Sequence, residues 1–166
     1  SSNLFPYIFP SLASLPVMPG WETFLKQFLL MQLVGDLGLY LGHRYQHESE
    51  FLWKHCHSLH HSIGTPSVAS TAYIHPVDMT LQTALPMMIA AVIVQAHPIS
   101  FLVYVMLRVG ENTINHCGHD SWILNLITLK ILPFRASVRH HDEHHHYSNY
   151  GRNAKNYGEN FVIWDW

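Results

Sequence analysis

The chain has 166 residues, of which 48% are apolar and only 12% are charged, about half the charged share of an ordinary soluble domain. This length suits one domain with a real core. The formal net charge of −2 argues against a nucleic-acid partner, for which a basic face is expected. Two cysteines are too few for a disulfide scaffold, a cysteine-based zinc site or an iron–sulfur cluster, so we expect any metal to be bound by nitrogen.

The first 20 residues form a Pro-rich apolar segment, in which four prolines argue against a long helix. From Trp21 the sequence predicts a helix that continues to about His47. Asp36, Tyr40, His43 and His47 follow one another at spacings of 4, 3 and 4, so they form one polar stripe on this helix. Ionisable residues inside an apolar helix are costly, which suggests that the stripe has a function.

A long apolar run follows in the middle of the chain. From Met79 to Leu107 there are 29 consecutive residues without Asp, Glu, Lys or Arg, whereas a membrane span takes about 20. His97-Pro98 divides the run, which predicts a helical hairpin, or two spans of which the second continues to about His116. The apolar segment from Trp122 to Leu132 is expected to lie along the membrane surface.

These patterns predict an all-α integral membrane protein with short hairpins and a helical cap, and the histidine clusters described next would make this cap the carrier of a histidine-rich dimetal site. Residues 21–166 are expected to form a single domain.

The 15 histidines carry the strongest signal, because most of them lie in four clusters. These clusters are His43/His47, His57/His60/His61, His116/His119 and His140 to His146. The pattern His-x-x-His-His occurs twice, and on a helix each copy is expected to turn its three imidazoles toward a single point. Clustered imidazoles without a metal repel one another once protonated and are costly to bury. Imidazole suits zinc, copper, iron and nickel, and the number of candidates exceeds what one ion can bind, which indicates two metals.

The order and spacing of several short motifs resemble the fatty acid hydroxylase / sterol desaturase superfamily of membrane histidine-box di-iron oxygenases, closest in pattern to its methylsterol oxidase-like members. The motifs are Asp36-x3-Tyr40-x2-His43-Arg44-x2-His47, Leu52-Trp53-Lys54-x2-His57-x2-His60-His61, Tyr73-x-His75-Pro76, Asn115-His116-x-Gly118, His140-His141-x2-His144-His145, Asn156-Tyr157-Gly158 and Trp164-Asp165. Each motif is weak alone, but the ordered set, from residue 36 to the end, is specific.

The resemblance implies an O2-dependent enzyme that hydroxylates or desaturates a C–H bond of a lipid or sterol. Its cofactors would be two iron ions, which can appear as zinc in a purified sample. Electrons from NAD(P)H would arrive through cytochrome b5 or a reductase. The enzyme would reside in the endoplasmic reticulum or another organelle membrane, with the histidine boxes facing the cytosol, and no catalytic residue is expected beyond the metal centre.

Carried over position by position, the resemblance assigns the iron ligands to histidines of the boxes. The ligands are His43, His47, His57, His60, His61, His141, His144 and His145, with His75 and His116 as further members of the site and His119 and His140 at positions where family members vary. Asp36 and Tyr40 would orient the ligand imidazoles, as metal-bound histidines commonly require. The chain departs from the family in carrying Asp78 where His-Pro-x-Glu is frequent, and in extra residues after His145.

Two other classes of function compete with the oxygenase. One is a non-catalytic membrane subunit that keeps the hydroxylase fold as a structural component of a larger membrane complex. The short chain and the insertion after the last box favour it, whereas the complete histidine boxes oppose it. The other is a histidine-rich metal transporter or a haem protein. Transporters place their ligands inside spanning helices, and haem needs only one or two histidines.

Overall fold

The computed structural model describes residues 18–64, 66–148, 150–151 and 153–166, and within these residues the chain is all-α without a strand. An isolated β-bridge pairs Arg135 with Phe161. The prediction of an irregular N-terminal segment falls mostly on residues 1–17, which lie outside the described residues.

Helix α1 (Trp21–Glu48) begins at the predicted residue and ends one residue beyond the predicted end. Ser49 caps helix α2 (Glu50–Leu52), because its hydroxyl accepts a hydrogen bond from the Leu52 amide. The helix continues through a π-helical turn (Trp53–His57) into α3 (Ser58–His61). Such π turns are frequent at functional sites. Here the turn lies directly before the first His-x-x-His-His pattern and ends on its first member.

The predicted hairpin is present. Its first arm, Pro76–Val94, consists of α4 (Pro76–Met79), a π-helical turn (Thr80–Ala84) and α5 (Leu85–Val94). Its second arm is α6 (Pro98–Asn115), which follows a left-handed residue at Gln95. Both arms start with a His-Pro pair whose imidazole Nδ1 accepts an amide hydrogen bond two residues on. Proline suits the first helical position because that residue needs no donor.

Short elements complete the described chain. A 3-10 turn (Val68–Ala72) precedes the hairpin, and α7 (Trp122–Ile127) follows it. Helix α8 (Val138–Tyr147) carries the last histidine cluster, and the Ser137 hydroxyl caps it by accepting from the His140 amide. A final 3-10 turn spans Val162–Trp164.

Helix α1 packs closely against both arms of the hairpin. Two glycines of α1 make this approach possible. A Cβ at Gly42 would lie 2.4 Å from the backbone oxygen of Leu81, and one at Gly35 would overlap the Tyr104 hydroxyl. Small residues allow apolar helices to bring their backbones together.

Two helices, Trp21–Glu48 and Pro76–Val94, are long and apolar enough to cross a membrane. Only 33% of the apolar window of each is buried, which differs from the mostly buried core helix of a soluble protein. The buried face of α1 carries Gln32, Asp36 and Gln46, whereas Leu29 and Leu41 are about half exposed. A helix with a polar inner face and an apolar outer face is the reverse of what water favours. This arrangement fits an apolar surrounding.

A buried ionic cluster lies between α1, α6 and the C-terminal residues. Arg108 lies 3.7 Å from Asp36, 3.7 Å from Glu111 and 3.8 Å from Glu159, and Arg135 pairs with Glu111. Buried charges are tolerated only when they are paired, and removing one partner costs about 3–5 kcal/mol. The cluster therefore fixes the C-terminal residues against the helices.

Candidate metal centre

The ends of four segments bring their histidines together into one buried cluster: the end of α1, the π turn with α3, the end of α6, and α8. Within the described part of the chain, nine histidines form two adjacent groups whose nitrogen atoms lie within 4.8 Å of one another in each group. The first group is His43, His47, His57, His61 and His144; the second group is His60, His116, His141 and His145. The groups are in contact, since the rings of His61 and His145 stack at 4.7 Å.

Each His-x-x-His-His pattern divides its members between the two groups instead of turning all three toward one point. The first and last members, His57 and His61, join the first group, while His60 joins the second. In α8 the assignment is reversed: His141 and His145 join the second group and His144 the first. An α-helix turns about 100° per residue, so residues i and i+4 point about 40° apart, whereas residue i+3 lies about 60° away on the other side of residue i. One pattern therefore serves two neighbouring sites.

Hydrogen bonds on the outer side fix the orientation of several rings in the cluster. In the first group, Nδ1 of His43 lies 2.9 Å from the Tyr157 carbonyl and Nδ1 of His144 lies 2.6 Å from the Lys155 carbonyl. The third such bond joins His57 Nδ1 to the Asp78 carboxylate at 2.8 Å, and both side chains are fully buried.

In the second group, backbone carbonyls have the same role. Nδ1 of His116 lies 2.8 Å from the Asn112 carbonyl, and Nδ1 of His60 lies 3.3 Å from the Tyr73 carbonyl. A carbonyl or carboxylate oxygen can only accept, so Nδ1 donates in each case. The neutral ring then has its lone pair on Nε2, which points toward the centre.

The inner nitrogens of the cluster lie close together. Nε2 atoms approach each other to 3.0 Å in the pair His47–His57 and to 3.1 Å in the pair His61–His144. In the second group, His116 Nε2 lies 3.2 Å from His60 Nε2 and 3.0 Å from His141 Nε2. In the pair His60–His116 both rings donate through Nδ1, so two Nε2 lone pairs face each other and repel unless a cation lies between them. With metal–nitrogen bonds of about 2.0–2.1 Å, opposite ligands of one ion lie about 4 Å apart, so each group fits one ion.

Burial favours the neutral form of several of these imidazoles. It lowers the pKa of His60 to about 4 and that of His145 to about 2, and neighbouring histidines lower both further. The pKa values of His116, His141 and His144 are also lowered, chiefly because burial penalises the charged ring. A ring must be deprotonated to bind a metal, so at neutral pH the centre is ready to do so.

Three histidines named as candidate ligands lie outside both groups. The Nδ1 of His75 accepts the Val77 amide at the start of α4, so its neutral ring carries its proton on Nε2 and has no lone pair left for a metal. His140 faces away from the centre, with its Nε2 lying 3.3 Å from the Asp165 carboxylate. His119 is exposed beyond the end of α6.

Asp36 and Tyr40 contact other partners than the imidazoles that they were expected to orient. The Asp36 carboxylate accepts hydrogen bonds from the amides of Asn160 and Phe161 and from the Trp164 indole. Asp36 lies two turns before His43 on α1, level with the C-terminal residues. Tyr40 accepts from Arg44 and packs edge-on against the Tyr157 ring.

The groups that orient the rings were mostly missed by the sequence patterns. Asp78 had a signal, because it occupies the acidic position of the His-Pro-x-Glu pattern. The carbonyls of Tyr73, Asn112, Lys155 and Tyr157 had none, since a backbone acceptor can belong to any residue type.

Comparisons with known proteins show the family of the chain. The family model for fatty acid hydroxylase matches residues 28–166. Methylsterol monooxygenase 2-2 of Arabidopsis thaliana is 32% identical over 152 residues, which are 90% of this chain and 53% of that protein. Methylsterol monooxygenase 1 of Danio rerio is 31% identical over 163 residues (96% and 53%), and very-long-chain aldehyde decarbonylase GL1-11 of Oryza sativa subsp. japonica is 31% identical over 157 residues (93% and 55%). The chain spans about half the length of these curated relatives, and no solved structure matches it.

Proposed function

Because the chain belongs to the fatty acid hydroxylase family, we propose that it is a membrane-bound di-iron oxygenase that hydroxylates or desaturates a C–H bond of a lipid or sterol. In this proposal residues 21–166 form the single domain that carries the reaction. The relatives are named for reactions on methylsterols and very-long-chain aldehydes, which supports a substrate of lipid character.

The division of nine histidines into two adjacent groups carries the proposal. The first group offers five nitrogens and the second four, and together they suit two ions held side by side. Two bound irons would supply the oxidising power toward an unactivated C–H bond that side chains lack.

The chain's own residues give this centre its geometry and its dryness. The outer hydrogen bonds hold Nε2 of five rings toward the centre, and burial of the cluster excludes water. The apolar outer faces of α1 and the hairpin support a bilayer around these helices, with the centre at their ends, so a lipid substrate could reach it without crossing water.

The balance of the reaction requires an electron donor. Hydroxylation places one oxygen atom of O2 in the product and releases the other as water, which takes two electrons and two protons. Desaturation removes two hydrogens, and with the same two electrons and two protons both oxygen atoms leave as water. The proposal therefore includes cytochrome b5 or a reductase as the electron-donating partner. It also includes a location in the membrane of the endoplasmic reticulum or another organelle, with the centre facing the cytosol.

The test combines metal analysis with a product screen. Protein purified in detergent with iron should contain two irons per chain, and with O2 and a reductant it should convert a lipid or sterol into a hydroxylated or desaturated product. His60→Ala and His144→Ala should each lower the iron content and abolish turnover. His55→Ala and His146→Ala change exposed histidines on the same elements and should do neither. A folded wild-type protein that binds no iron under these conditions would contradict the proposal and favour the non-catalytic subunit.

A further inference from the structure

The last residues of the chain form a loop that holds two ligands of the first group. The Lys155 carbonyl lies 2.6 Å from Nδ1 of His144, and the Tyr157 carbonyl lies 2.9 Å from Nδ1 of His43. These acceptors belong to the backbone of an extended segment, outside any helix. The contacts that hold the loop therefore also determine where these two carbonyls lie.

Asp165 closes this loop on itself. One oxygen of its carboxylate accepts from the Tyr157 amide at 2.8 Å, and the other accepts from the Gly158 amide at 2.9 Å. A Cβ at residue 158 would lie 2.3 Å from the Phe161 carbonyl oxygen and 2.8 Å from the Asp165 carboxylate, so this close contact requires glycine. The Asp165 carboxylate thus fixes the peptide unit whose carbonyl holds His43, together with the unit before it.

Asp36 anchors the same loop to the helix that carries His43. Its fully buried carboxylate accepts from the Asn160 amide at 3.3 Å, the Phe161 amide at 3.1 Å and the Trp164 indole at 3.0 Å. Helix α1 therefore presents both His43 and the group that positions the loop behind His43.

The orienting bonds to second-group ligands come from outside this loop, although the loop contacts the residues before two of them: the Glu159 carbonyl accepts from Asn115, and Asp165 lies 3.3 Å from His140. His116 bonds to the Asn112 carbonyl of its own helix, and His60 bonds to the Tyr73 carbonyl before the hairpin. Helix α8 carries ligands of both groups. The bond that the loop makes to a ligand on this helix goes to His144, which belongs to the first group.

We propose that Asp165 and Asp36 are positioning residues which, through the loop of residues 155–165, set the metal affinity of the first group and leave that of the second largely unchanged. The inference rests on the proposed dimetal centre and adds that its two sites can be weakened separately.

The experiment measures metal content and affinity instead of turnover. Asp165→Ala and Asp165→Asn are loaded with iron or zinc and titrated with a competing chelator, beside wild type. Loss of the group that bonds directly to a ligand typically weakens metal binding about 10–100-fold, and Asp165 acts through such a group, so the loss in Asp165→Ala should reach at most this size. Asp165→Ala should therefore release one metal per chain at a chelator concentration at which wild type keeps two. Asp165→Asn keeps one side-chain carbonyl acceptor and should fall between them. Asp120→Ala, an exposed carboxylate beside Asn125, is the matched control and should behave as wild type.

Backgrounds that contain only one intact site identify the metal that is lost. In a His60→Ala background, which retains the first group, Asp165→Ala should remove the remaining metal. In a His61→Ala background, which retains the second group, Asp165→Ala should leave the affinity unchanged. Equal weakening in both backgrounds, or no weakening in either, would overturn the inference while two irons in wild type keep the proposed function intact. Wild type without metal would instead overturn the proposed function. Circular dichroism of each variant establishes that the helices are retained.

Discussion

The buried pair of His57 and Asp78 allows a sharp prediction. Their side chains are fully buried and 2.8 Å apart, and the carboxylate accepts from Nδ1. Asp78→Ala removes this acceptor and leaves the Nδ1–H without a partner in a dry site. We expect the first group to bind its metal about 10–100-fold more weakly, with the helical content unchanged.

Two physical effects contribute to that change, and their sizes differ. Without the carboxylate, the proton of His57 can move to Nε2, and populating two tautomers equally costs only about 0.4 kcal/mol of binding free energy. A hydrogen bond to a charged group is worth about 1.5–3 kcal/mol. A 10–100-fold loss corresponds to about 1.4–2.7 kcal/mol, so the lost bond, not the tautomer, should account for most of it.

The assay is a chelator competition on the metal-loaded protein in detergent, with metal content read at each chelator concentration. Asp78→Asn is the informative companion, because its side-chain carbonyl can still accept from Nδ1 and should preserve more of the affinity. His146→Ala provides the neutral control on α8. The reasoning fails if Asp78→Ala binds both metals as wild type does, or if the Asn and Ala variants lose affinity equally.

Three further predictions concern helix packing, metal affinity and the effect of pH on stability. Gly42→Ala should lower the melting temperature, because the new Cβ overlaps the Leu81 carbonyl and overpacking costs about 1–3 kcal/mol, whereas Gly110→Ala, with open space around it, should be neutral or stabilising. Gly158→Ala should weaken metal binding by the first group in the chelator assay, because the new Cβ would push the Phe161 carbonyl and the Asp165 carboxylate away from residue 158. An affinity equal to that of wild type would refute this. Acidifying the metal-free protein from pH 6.5 toward 4 should lower its melting temperature, because the pKa of His60 falls from an ordinary 6.5 to about 4 on folding, so in that range the unfolded chain binds more protons. Glu159, whose pKa burial raises to about 7, acts in the opposite direction but is outnumbered by the buried histidines, and a melting temperature that rises on acidification would contradict the argument.

Local periodicity predicted the parts of the fold that depend on neighbouring residues. The start of α1 at Trp21, the hairpin divided at His97-Pro98 and the continuation of its second arm to His116 all follow from apolar runs and breakers. The helical spacing of the histidines likewise predicted that they would meet.

The assignment of each histidine to a site depends on tertiary packing, and periodicity alone could not supply it. His75 shares the sequence context of a box residue, but it precedes a proline at a helix start. Its Nδ1 accepts the Val77 amide there, and the ring lies outside both histidine groups. Asp36 lies on the same stripe as His43, yet two turns of helix are enough to place it beside the C-terminal loop, where its carboxylate accepts from the Asn160 and Phe161 amides.

The location of the centre at the helix ends follows from the acceptors that its rings require. Each oriented ligand needs an oxygen for its Nδ1–H, and inside a helix the carbonyls already accept from amides four residues on. Carbonyls that can accept a further hydrogen bond occur in the last turn of a helix and in loops, and the acceptors observed come from such places: Asn112 in the last turn of α6, which also accepts the His116 amide, Tyr73 after a 3-10 turn, and the loop of Lys155 and Tyr157. The one buried acceptor from a helix start, Asp78, is a side chain. A many-histidine site in a protein of apolar helices is therefore expected at the edge of the apolar layer, where the backbone itself can orient the ligands.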